Sequence, residues 1–130
     1  MPLNSDVRPL MSVEPVSFIT TETGDDLIVS FAVGDDATEI ESLTLIRTPK
    51  YERILDNWER GVKISFGGSS HEDEFLDEVH FDAEAAVVRL KSHAATYELD
   101  VHRVDRREIK AMCNVLRKMN FDGRVQLSGI

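Results

Sequence analysis

The chain has 130 residues, 42% of them hydrophobic and 30% charged, enough apolar material for one domain core and too much for a disordered polymer. Its formal charge of −9, from 15 basic and 24 acidic side chains, disfavours nucleic acid and polybasic membrane attachment. No apolar run reaches the roughly 20 residues of a membrane helix, no secretory signal is evident at the start, and the single Cys113 cannot pair internally, so the expected compartment is the cytoplasm.

Residues 1–13 carry Pro2 and Pro9 without a clear period and are expected to form a flexible arm, leaving 14–130 as one domain. From Pro15 the pattern alternates, and after the turn chemistry of Thr23-Gly24-Asp25-Asp26 comes the apolar run 27–33. These two segments predict a hairpin. Residues 40–46, with Leu43 and Leu45 on one face, predict a third strand closed by Pro49. Tyr51, Ile54, Leu55 and Trp58 recur at helical spacing and predict a short helix or irregular turn over 51–60, with Gly61 as its C-cap. Tyr51 and Trp58 are read as core anchors or an exposed hot spot, and the first is expected because large aromatics in a small domain usually anchor the core.

Val62, Ile64 and Phe66 alternate with Lys63 and Ser65 as in a half-exposed strand. A polar loop over 67–74 follows, then a short strand ending at Asp82 and a pair of strands over 85–90 and 96–101. The clearest element is a helix over about 106–119. Ile109, Met112, Cys113, Leu116 and Met119 form one apolar stripe, and Asp105 with Glu108 has the spacing of a capping box. Val125 and Leu127 can add a last edge strand. The expected fold is therefore α+β, an antiparallel sheet of five to seven strands covered on one face by the C-terminal amphipathic helix.

Charge is unevenly spread. Residues 1–101 hold 21 acidic and 8 basic side chains, whereas 102–130 hold 3 acidic and 7 basic. Arg106, Arg107, Lys110, Arg117 and Lys118 fall on the helix face away from the stripe, where they can lie over the acidic body or meet an acidic protein; the first is expected.

Motifs for chemistry are sparse. Neither GxxxxGK[ST] nor GxGxxG occurs, and Gly67-Gly68-Ser69-Ser70 is followed at once by carboxylates that would oppose a phosphate. Cys113 lies in the apolar stripe, where a thiol is inert, and no G-x-S-x-G elbow is present. His80 and His102 alternate with apolar neighbours and are expected on exposed strand faces, while His93 falls in a loop. The densest set of metal-type ligands is His71, Asp73, Glu74, Asp77, Glu78 and His80, without the spacing of HExxH or of a calcium loop.

The reading that follows is a non-enzymatic acidic protein-interaction module, an adaptor, a regulatory subunit or an immunity-type inhibitor, whose partner is a protein with a basic surface. Its binding residues are placed at Asp73, Glu74, Asp77 and Glu78, with no cofactor, no nucleic acid and no membrane. The alternatives are a small metal-dependent enzyme or metal-binding protein using the acidic loop 71–80, and a subunit of a homo-oligomer.

Overall fold

A computed structural model describes residues 13–34, 40–67 and 74–130; the expected arm over 1–13 therefore lies outside it, except for an exposed Val13. The fold is mixed α+β. Strand β1 (Glu14–Glu22) turns at 23–26 into β2 (Leu27–Val33), and β2 pairs with β3 (Glu41–Arg47), all antiparallel. Alternation decides which side chains face inward. On β3, Leu43, Leu45 and Arg47 share the buried face. After an excursion over 48–61, β4 (Lys63–Phe66) returns along β3. A second meander holds β5 (Leu76–Asp82), β6 (Val87–Ser92) and β7 (Thr96–Asp100).

The strand order is β4-β3-β2-β1-β7-β6-β5-β8, where β8 is Gln126–Ser128. The sheet thus has eight strands rather than five to seven, and it is not purely antiparallel: β1 runs parallel to β7, and β8 parallel to β5. The chain reaches β8 only after the helix, so this last pairing is a long-range one with no local turn to announce it.

The two ends of this order meet. The Ile64 N–H donates to the Glu74 carbonyl at 2.9 Å and the Leu76 N–H to the Val62 carbonyl at 2.8 Å, around an antiparallel bridge between Lys63 and Phe75. The edge of β5 is thereby shared, its start with β4 and its middle with β8. Curling the sheet until β4 reaches β5 lets strands cover one another. Leu43, Leu45, Val79, Val88, Leu90 and Leu99 are all essentially inaccessible and belong to one apolar cluster.

Helix α2 (Arg106–Met119) packs on β1 and β2, the side where β1 has left β7 after Pro15. It buries Met112, Val115, Leu116 and Met119, while Ile109 and Cys113 are half-buried. Asp105 caps it by accepting the Arg107 N–H at 2.8 Å. The expected capping box does not close, because Glu108 reaches away from its own helix and accepts the Ile19 N–H of β1 at 2.7 Å. A strand donor freed by the departure of β7 is a stronger claim on that carboxylate than a solvent-exposed helix end.

Candidate functional site

The expected site over 73–78 does not assemble as a cluster among the described residues. Asp73, with His71, lies outside them. Glu74 is 4% exposed, and its Oε2 accepts the Ser92 hydroxyl and the Tyr97 phenol, each at 2.7 Å. Ser92 Oγ also accepts the N–H groups of Ala94 and Ala95, so this carboxylate ties the start of β5 to the β6–β7 turn. Burial, then the bond to Glu74, pushes the Tyr97 phenol well above its usual range. Asp77 is exposed on β5, whereas Glu78 sits 3.7 Å from Lys91. The β5–β6 register shifts between Leu76 and Glu78, so Asp77 is an extra, unpaired residue at a bulge while Glu78 lies opposite Lys91. No group of three metal-ligating side chains occurs among the described residues.

A different centre is built around Arg47. This side chain ends β3 in the inward register and is only 2% exposed. A buried guanidinium needs its five donors satisfied and its charge matched. Nε and Nη2 donate to the two carboxylate oxygens of Glu52 at 2.9 and 2.8 Å. Nη1 and Nη2 donate to Asp122 at 2.9 and 2.7 Å, and Nη1 also reaches the Met119 carbonyl at 2.7 Å. The Phe121 ring lies 4.2 Å from the guanidinium carbon, a cation–π contact. Burial works against the charge on Arg47, but its hydrogen bonds to Asp122 and Glu52 outweigh it and raise its pKa. The Arg47 guanidinium in turn holds the Asp122 carboxyl well below the usual range, with Arg124 adding to the effect at 2.6 Å.

This hub pins two loops that sequence spacing does not relate. The first is the excursion over 48–61, where the expected short helix or irregular turn over 51–60 takes the form of irregular turns. A single turn α1 (Pro49–Glu52) is followed by a 3-10 turn at Asn57–Glu59. Glu52 is pulled inward to Arg47, the Glu59 carboxylate takes the Asp56 N–H at 2.9 Å, and Arg60 holds the Leu55 carbonyl. These bonds stop any helix from running on past residue 52. The second loop follows α2, and Arg124 joins the two by donating to the carbonyl and side chain of Asn57. Gly61 adopts φ +137°, where the Phe75 ring stands 3.1 Å from the place a Cβ would occupy.

The consequence is an aromatic-rich end. Tyr51, Ile54, Trp58 and Phe121 are 56%, 80%, 73% and 59% exposed, all on the two loops held by Arg47. Tyr51 and Trp58 are therefore not core anchors. The missed signal was Arg47 itself: the Leu43, Leu45, Arg47 alternation places a cation inward, and such a cation must collect carboxylates from elsewhere. Beside this end, Leu55, Trp58, Glu59, Lys63 and Phe75 line a groove of about 410 Å³.

The remaining candidates are quiet. Burial pushes the Cys113 thiol up, which makes it a poorer nucleophile. His80 and His102 are exposed as expected, and their Nδ1 atoms lie 2.7 Å from Ser128 Oγ and 2.6 Å from Asp100 Oδ1. The outward face of α2 keeps Arg106, Arg107, Lys110, Arg117 and Lys118 exposed, and among the described residues only Arg107 has an ion pair, with its neighbour Asp105, so these cations do not lie over the described acidic strands. Among the described residues no helix is long and apolar enough to cross a membrane. Comparison with protein-family models, with curated proteins and with solved structures gives no match.

Proposed function

We propose that the protein is a non-enzymatic, acidic protein-interaction module whose partner presents a basic surface. One observation carries this reading. On the strands and their connections four of the seven described cations are consumed internally: Arg47, Lys50, Arg89 and Lys91 each face a carboxylate of this chain. Glu14, Glu22, Glu41, Asp77 and Glu84 are exposed with no ion pair among the described residues. The cations without an ion pair among the described residues are Arg53, Arg60, Lys63 and Arg103 and, on α2, Arg106, Lys110, Arg117 and Lys118, and a basic partner is steered to the exposed carboxylates.

The test is capture of the basic protein fraction of the native extract by the immobilised chain, at about 50 and about 300 mM salt, where screening lengths differ by roughly 2.4-fold. Binding strong at low salt and lost at high salt is expected. A Glu22→Gln, Asp77→Asn, Glu84→Gln triple variant should retain markedly less. Equal capture by variant and parent, or capture indifferent to salt, would refute the electrostatic reading.

A further inference from the structure

We infer that the aromatic-rich end around Arg47 is a self-association surface, on which a second copy of this chain docks through Tyr51, Ile54, Trp58 and Phe121. The inference does not rest on the basic partner proposed above and concerns a different part of the surface.

Three observations select a second copy. The first is charge. The chain as a whole is strongly acidic, but this end is locally balanced. Glu52 is neutralised by Arg47, Asp122 is shared by Arg47 and Arg124, and Asp56 and Glu59 stand among Arg53, Arg60 and Lys63. A basic partner gains nothing there, whereas a two-fold related copy meets no local repulsion and can set the cations of one subunit against the carboxylates of the other.

The second is area. At their observed exposures the three aromatic rings and Ile54 leave roughly 500 Å² of apolar surface open. A stable interface takes about 800 Å² from each partner. The exposed Arg53, Asp56 and Asn57 of the same excursion add polar area to these apolar residues.

The third is order. Both loops are cross-linked by Arg47 to Glu52 and Asp122 and by Arg124 to Asn57, so the anchors are held before binding and little entropy is lost on docking.

The salt signature is opposite to that of a basic partner. Two molecules of like net charge repel at long range, and salt screens the repulsion while leaving the apolar contact intact. Self-association therefore strengthens as salt rises.

Trp58 is the single tryptophan of the chain, so its emission reports this surface without any substitution. Light scattering coupled to gel filtration of the full chain, and tryptophan emission over a concentration series, are measured at low and high salt. The expected result is a mass that rises from monomer to dimer with concentration, more readily at high salt, accompanied by a blue shift of the emission. An Ile54→Glu, Trp58→Glu variant should stay monomeric while melting like the parent; if it fails to fold, the parent's emission shift decides. A monomer at every concentration, a dimer formed without an emission shift, a dimer that survives in the folded variant, or association that weakens with salt would each overturn the inference.

Discussion

Arg47 carries more of the tertiary structure than any other polar side chain described. Its guanidinium holds the end of β3, the excursion over 48–61 and the loop after α2 through one set of bonds. The pair with Glu52 is buried on both sides, so removing the cation strands a carboxylate in the core. Arg47→Met is expected to cost about 3–5 kcal/mol in urea unfolding, because an uncompensated buried charge is worse than either the intact pair or an apolar substitute for both. Arg47→Lys should lie between this variant and the parent, since an ammonium keeps the charge but cannot bridge two carboxylates with a planar fork. Gly129 matters for a steric reason. It adopts φ +74°, and a Cβ there would strike the Phe81 carbonyl. Gly129→Ala should destabilise by more than about 1 kcal/mol and loosen β8 first, seen as faster amide exchange at Leu127 than in the parent.

The elements divide by how local their causes are. Helix α2 was legible because its stripe and its cap lie within one segment, and Leu116→Ala should cost roughly 2–5 kcal/mol through lost burial and a cavity. Lys118→Ala, on the exposed face, should cost less than about 1 kcal/mol. Glu108 separates the two views of this helix. If its carboxylate served the helix end, Glu108→Ala would fray the first turn; because it accepts from Ile19, the same change should cost about 1–3 kcal/mol and expose the β1 amide to exchange. Glu108→Gln, which keeps an acceptor, should recover much of it. The strands were legible for the same local reason, since Leu43 with Leu45 and Ile64 with Phe66 alternate as a pleated strand requires. The excursion over 48–61 was not. Tyr51, Ile54, Leu55 and Trp58 do have helical spacing, but the bonds that decide their backbone come from Arg47 and from Arg124, 67 residues beyond Asn57. The pairing of β8 with β5 and the meeting of β4 with β5 are likewise set by distant partners. The acidic segment read as a binding site mixes a core carboxylate, Glu74, with outlying strand positions at a bulge, a difference that depends on Ser92 and Tyr97 and not on the spacing of the acids.

For the whole molecule, two effects of acid oppose each other. Protonating surface carboxylates relieves the repulsion of a chain with net charge −9 and favours the folded state at first. Protonating Asp122 does the reverse. Its pKa is held well below the usual carboxylate range, chiefly by the hydrogen bonds from Arg47. A carboxyl whose folded value is depressed contributes stability that is fully present above its unfolded value, about 3.9 for aspartate, and is lost as pH falls through the folded one. The loss therefore begins below about pH 4 and deepens towards the folded value, where the end of α2 comes away from β3. Asp122→Asn keeps an acceptor for Arg47 but cannot titrate, and it shares nearly all the remaining surface charge with the parent. Subtracting its unfolding curve from that of the parent cancels the relief of repulsion and leaves the Arg47–Asp122 contribution. The difference in stability between parent and Asp122→Asn should be constant above about pH 5 and shrink steadily below pH 4. A difference that stays constant through that acid range would mean that Asp122 does not bear on the buried guanidinium, and that Glu52 alone holds Arg47 in place.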